Sequence, residues 1–166
     1  MFIEVKVSGL TIDPQTNTPI VILKDNEGKK IIPIWIGLFE ASAIATELEK
    51  IAFARPMTHD LIMEIMRSLE VVVSRVEIND LRNNTFYASI CFAHGSNNFV
   101  VDARPSDAIA IALRSSAPIF VDEGVVNKSR DIDFGTKISD IDSVTKEKLK
   151  DFLENLSPED FGKYKM

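Results

Sequence analysis

The amino-acid sequence predicts an α+β protein with two antiparallel β-meanders and a helix pair between them. A third helix follows the second meander, and a helical tail closes the chain. Three observations carry this reading. Apolar and polar residues alternate at period two over residues 2–36 and again over 71–103. Between them, over 38–69, the apolar spacing changes to the 3.6-residue period of a helix. A stretch rich in small residues, 105–115, then returns to helical spacing.

Each element follows from local pattern. Ile3, Val5 and Val7 share one side of the first strand, and the apolar parity passes to Leu10 and Ile12 beyond Gly9. A β-bulge at Gly9 accounts for the switch. Residues 13–18 (DPQTNT) form a turn, 19–24 a second strand, 25–28 another turn and 30–36 a third strand. The first helix is expected over 38–53, with Ala41, Ile44, Ala45, Leu48, Ile51 and Ala52 on its buried face. The Arg55-Pro56 pair ends that pattern. The second helix, over 58–69, is capped by Thr58 and buries Leu61, Ile62, Ile65, Met66 and Leu69. Strands over 71–78, 85–92 and 98–103 are joined at Asn83-Asn84 and Gly95-Ser96-Asn97. A short strand over 119–121 follows the third helix. The domain reading is an α+β unit over 1–128, a linker over 129–135 and an amphipathic tail over 136–166. The tail helix, 142–156, carries Val144, Leu149, Phe152, Leu153 and Leu156.

Composition narrows the function classes. Of 166 residues, 45% are hydrophobic and 27% charged, as in ordinary globular proteins. No apolar run approaches the roughly 18 residues that span a bilayer, which predicts no membrane association. The start of the chain has no signal-peptide pattern. Cys91 is the single cysteine, so no internal disulfide forms. These features favour the cytoplasm. With 19 basic and 25 acidic residues, the net charge of −6 repels polyanions in bulk. Binding of nucleic acid therefore requires a local basic site or a metal ion. Strand edges in two short meanders must be paired or covered, which predicts a homo-oligomer, most simply a dimer.

The chemistry-bearing residues collect at two similar helix starts. Ala54-Arg55-Pro56-Met57-Thr58-His59-Asp60 opens one helix, and Ala103-Arg104-Pro105-Ser106-Asp107 opens another. Proline in the first turn, a hydroxyl cap and an acid beside the helix dipole are sufficient structural reasons for both. The same residues also suit an anion: helix N-termini attract phosphate, and arginine grips it in two-pronged fashion. Arg55, Arg104 and Ser106 are thus candidate substrate-binding residues. His59, beside Asp60, is a candidate proton carrier, with Asp60 and Asp107 as its catalytic companions. Glu40, Asp60, Asp102 and Asp107 are the carboxylates nearest these motifs and the candidate ligands for a divalent metal such as Mg or Mn. Glycine-rich phosphate loops and the H-E-x-x-H and G-x-S-x-G motifs are absent from the sequence. Trp35 suits either a stacking platform for a base or a packed sheet position.

Several separated segments resemble the bifunctional nuclease domain family of bacterial and plant proteins. They are Pro33-Ile34-Trp35-Ile36-Gly37 with Glu40-Ala41, Arg55-Pro56 with Thr58-His59-Asp60-Leu61, Asn84-Thr85-Phe86-Tyr87-Ala88, residues 102–110 (DARPSDAIA) and Ala117-Pro118-Ile119-Phe120-Val121. The resemblance runs from about Phe2 to about Asn127, and FLENLSPEDF at 152–161 is similar to tails in that family. It implies a mixed α+β fold and, for some members, nuclease activity on both RNA and DNA. The residue roles given above come from side-chain chemistry, not from the resemblance. Two functions are consistent with the sequence. One is a metal-assisted nuclease hydrolysing phosphodiester bonds. The other is a non-catalytic, self-associating interaction or regulatory module.

Overall fold

A computed structural model of the chain describes residues 1–130. Strand β1, Phe2–Ile12, pairs antiparallel with β2, Pro19–Asp25, which pairs antiparallel with β3, Ile31–Trp35. The β1–β2 register shifts between Val7 and Gly9, as the parity switch requires. Helices α1, Leu38–Leu48, and α2, Thr58–Ser68, come next. The second meander comprises β4, Val72–Arg82, β5, Thr85–His94, and β6, Asn97–Ala103. Asn83 and Asn84 both have positive φ, 48° and 59°, which gives a tight hairpin turn its twist. Helix α3, Pro105–Ser115, leads to β7, Ile119–Asp122, and then to α4, Glu123–Arg130.

β7 turns the two meanders into one sheet. It pairs antiparallel with β1 and parallel with β4, giving the order β3-β2-β1-β7-β4-β5-β6. Residues directly opposite in a sheet share a face. One apolar face therefore runs through Leu10, Val21, Leu23, Val5, Ile119, Val76, Ile78, Ala88 and Ile90. All of these are buried, in one cluster with Ala41, Ile44 and Ala45 of α1 and with Ala108, Ile109 and Ala112 of α3. The alanines of α3 have a packing reason: small side chains let the helix approach α1 and the sheet closely. On the opposite face, Ile20 and Ile22 pack with Ile31 and Trp35.

Several expectations need correction. α1 ends at Leu48, five residues before the expected end at 53, so Ile51 and Ala52 are exposed and not part of its buried face. The N-cap of α2 is Met57, not Thr58, and the Met57 amide donates to Asp60 Oδ2 at 3.0 Å. Of the five residues expected to be buried on α2, Met66 is buried and Ile62 partly so, while Leu61, Ile65 and Leu69 are exposed. The reason is placement: α2 packs against α3, which covers only a narrow stripe. Helix α4 was not expected; it includes Ser129 and Arg130 of the expected linker, and Ser129 is buried. Residues 131–135 and the tail helix at 142–156 lie outside the described residues.

The early end of α1 has a physical cause. Lys50 adopts φ 54°, its amide donates to Glu47 O, and the Ile51 amide donates to Thr46 O at 2.9 Å. This paired pattern is the left-handed Schellman cap, usually marked by glycine. Glu70 (φ 57°) ends α2 in the same way, with the Val71 amide donating to Met66 O at 2.9 Å. A non-glycine residue in this conformation costs roughly 1–2 kcal/mol. Glycine would relieve that cost but adds freedom to the unfolded chain worth about 0.4–1 kcal/mol. Replacing Glu70 by glycine is therefore expected to stabilise the protein by about 0.5–1 kcal/mol in denaturant unfolding. Replacement by alanine should give no such gain, and equal effects of the two would refute the assignment.

Candidate active site at three helix starts

The site is built from one local rule used three times. Glu40, Asp60 and Asp107 each occupy the third position of a helix, in α1, α2 and α3. A carboxylate there complements the partial positive charge of the helix start. Glu40 folds back over the cap residue Gly37, where a Cβ would collide with its carboxylate. A larger residue at 37 would displace the Glu40 side chain from this position.

The fold then brings these helix starts together. Arg104, the N-cap residue of α3, donates from Nε to Asp107 Oδ2 at 2.9 Å and from Nη1 to Glu40 Oε1 at 2.9 Å. His59 Nε2 lies 3.0 Å from the other oxygen of Asp107, Oδ1. A continuous polar chain, Glu40–Arg104–Asp107–His59, thus links three helices. The His59 side chain is 13% exposed and that of Arg104 is 65% exposed, so the network runs from the interior to solvent. Burial alone would push the Asp107 carboxyl up, but hydrogen bonds from Arg104 and His59 outweigh it and hold it below the usual range.

Asp60 belongs to a neighbouring pair. Arg114, near the end of α3 and 7% exposed, donates from Nε to Asp60 Oδ1 at 2.6 Å. Its Nη1 also donates to the carbonyls of Ala43 at 3.0 Å and Ala110 at 3.1 Å. One guanidinium therefore ties α1, α2 and α3 together. Burial again pushes Asp60 up, and Arg114 with the Met57 amide brings it below the usual carboxylate range.

The other candidates are placed differently. Arg55 is exposed in the loop before α2. Ser106 is buried, which sets its hydroxyl back from a solvent-side ligand. Asp102 stands opposite Ser89 in β6, on the sheet face away from Ile90 and Val101, and is not brought into the network. Trp35 packs on Ile20 and Ile22, and its indole donates to the buried Asp13 at 3.1 Å. Among the described residues, no three His, Cys, Asp or Glu side chains gather into a metal-holding group. Arg104 stands instead between Glu40 and Asp107. The sequence reading missed Arg114, whose signal is a lone arginine within an otherwise apolar helix (AIAIALRS).

A family model for the bifunctional nuclease domain matches residues 21–132, more than half of the chain. The chain belongs to the bifunctional nuclease domain family. An uncharacterized protein of Mycobacterium tuberculosis strain H37Rv is 40% identical over 165 residues, covering 95% of this chain and 97% of its own. Bifunctional nuclease 1 of Oryza sativa subsp. japonica is 26% identical over 109 residues, covering 63% of this chain and 33% of the plant protein. Bifunctional nuclease 2 of the same plant is 25% identical over 117 residues, 68% of this chain and 36% of its own. In this member of the family, the matched region contains Glu40, His59, Asp60, Arg104, Asp107 and Arg114. Among the described residues, no helix is long and apolar enough to cross a membrane.

Replacing Arg114 by methionine would remove the side-chain donor to Asp60 Oδ1 and to two helix carbonyls, leaving Asp60 with the Met57 amide. The expected cost is about 1–3 kcal/mol in denaturant unfolding at pH 7. The pH dependence gives a second readout. Asp60 has a lowered folded-state pKa, so its stabilising contribution is full above the ordinary aspartate value of about 3.9 and is lost as pH falls below it. In R114M the decline of melting temperature below about pH 4 should be shallower than in wild type. An unchanged slope would show that Arg114 does not hold Asp60.

Proposed function

We propose that this chain hydrolyses phosphodiester bonds in RNA, DNA or both, at the point where the starts of α1, α2 and α3 meet. The observation that carries the reading is the Glu40–Arg104–Asp107–His59 chain, which places a histidine, its carboxylate and a solvent-facing guanidinium in one network. Membership of the bifunctional nuclease domain family supports the same reaction class.

The roles follow from bonding capacity. An ionised carboxylate only accepts hydrogen bonds, so the contact to Asp107 requires the His59 proton on Nε2. Nδ1 then carries the lone pair and is the atom to take a proton from an attacking water. Asp107 fixes the ring and stabilises the imidazolium that forms. Arg104 spends Nε and Nη1 on Asp107 and Glu40 and keeps Nη2 for a phosphate oxygen. Each of the three helix starts is already covered by its own carboxylate, so the positive charge offered to a phosphate is that of the arginines. Arg55, exposed in the loop before α2, supplies a second cation for a flanking phosphate. These local charges work against a net charge of −6, so binding should weaken steeply as salt rises.

Arg104 fills the place between Glu40 and Asp107 that a shared divalent ion would need, so these residues do not fit a metal there. Mg and Mn instead enter as arms of the assay.

A second reading has its own support. Asp60 and Asp107 are each satisfied by an arginine, as in a purely structural set of helix caps. In that reading the chain is a non-catalytic interaction or regulatory module.

One experiment separates the two. Highly purified wild type, H59A and D107N are assayed on single-stranded RNA and DNA, with and without Mg or Mn, beside thermal unfolding. The nuclease reading expects H59A to lose about 10²- to 10⁴-fold in cleavage rate, with at most a small change in melting temperature. Cleavage that survives unchanged in H59A refutes the site. Loss of melting temperature in D107N with no cleavage by wild type establishes the structural reading.

A further inference from the structure

The two edges of the sheet are built differently. β3, at one edge, contains Pro33, which lacks an N–H, and α4 packs against it. Proline and a covering helix are recognised ways to stop a strand from pairing onward. β6, at the other edge, has no proline, lysine or arginine and has a strand neighbour on one side only among the described residues. Its sequence, NNFVVDA, carries three large apolar residues in a row. Phe99 is 49% exposed, Val100 68% and Val101 48%.

These three residues do not share a face. Val101 stands opposite Ile90 and Phe99 opposite Phe92, on the helix-bearing face, whereas Val100 stands opposite Cys91 on the other. A helix laid on the sheet would cover one set and leave the other wet. An added strand covers both at once, because its own side chains alternate.

We propose that β6 pairs antiparallel with β6 of a second copy about a two-fold axis at Val100, making one continuous sheet across a dimer. This register is self-complementary. Val100 faces the partner's Val100, Phe99 faces the partner's Val101, and Asp102 faces the partner's Asn98. The only charged residue of the strand thus meets an amide and not its own copy, and apolar side chains meet on both faces. The partner's strand is already extended, so no segment has to be ordered to bind. The interface adds a surface distinct from the proposed catalytic network, although Arg104 directly follows the strand.

Light scattering on the full chain at micromolar concentration tests the proposal. Wild type is expected to have the mass of a dimer. V100K and V100E should each be monomeric with a wild-type circular dichroism spectrum, since like charges would face each other at the axis. An equimolar mixture of the two should return to dimers, because only a self-facing position lets opposite charges rescue each other. N98D, an exposed change that sets a carboxylate against the partner's Asp102 at both ends of the pairing, should weaken the wild-type dimer by about tenfold. It also serves if the changes at Val100 prevent folding. A monomeric wild type, as would follow if residues 131–166 lay along this edge, overturns the proposal. So does a dimer indifferent to V100K or to N98D, or a mixture of folded V100K and V100E that stays monomeric.

Discussion

The pairing of β7 with both β1 and β4 is the constraint on which the rest depends. This strand, Ile119–Asp122, is short, yet it joins two meanders that would otherwise be separate three-stranded ribbons. Ile119 and Val121 are buried between Val5 and Ile3 on one side and Val76 and Ile78 on the other. Once the sheet is continuous, its helix-bearing face is continuous too, and α1 and α3 must pack side by side on it. Glu40 and Arg104 lie far apart in the chain and meet only because of this closure.

Electrostatics at the meeting point follow from the same geometry. Each helix start would tolerate an acidic residue alone, for an ordinary dipole reason. Brought together, three acids would repel one another, and two arginines resolve the conflict in different ways. Arg114 is buried and holds Asp60 against the backbone of α1 and α3, a structural use. Arg104 is exposed and bridges Glu40 and Asp107 at the solvent edge, where it remains open to a ligand. His59 reaches the same carboxylate from the interior side. The asymmetry between the arginines separates what fastens the helices from what is available for chemistry.

Much of this was legible in the sequence, and the misses have identifiable causes. Strand alternation placed both meanders, and the parity switch at Gly9 located the bulge. Proline and small residues marked α3. The end of α1 was hidden because Lys50, not glycine, takes the left-handed position of its cap. The exposure of Leu61 and Ile65 was hidden because amphipathic spacing records an apolar stripe, not what covers it. At the site, Arg104, His59 and Asp107 could be chosen from their helix-start motifs, but their contacts depend on the sheet closing through β7. Asp102 was grouped with them by nearness in sequence, and strand alternation sends it to the other face. Arg114 is marked in the sequence only as a lone arginine in an apolar helix, and its role is recognisable only from the partners it meets.

Binding of a phosphodiester where these helix starts converge is open to a direct test. The chain contains two histidines, and they provide both probe and control: His59 lies in the network, and His94 at the end of β5 is exposed and outside it. Imidazole NMR signals recorded while a short single-stranded oligonucleotide with cleavage-resistant linkages is added give the most direct reading. His59 is expected to shift saturably, with the response lost in R104M and weakened by salt, while His94 stays still. A His94 that moves while His59 does not, or a His59 response unchanged in R104M, would contradict it.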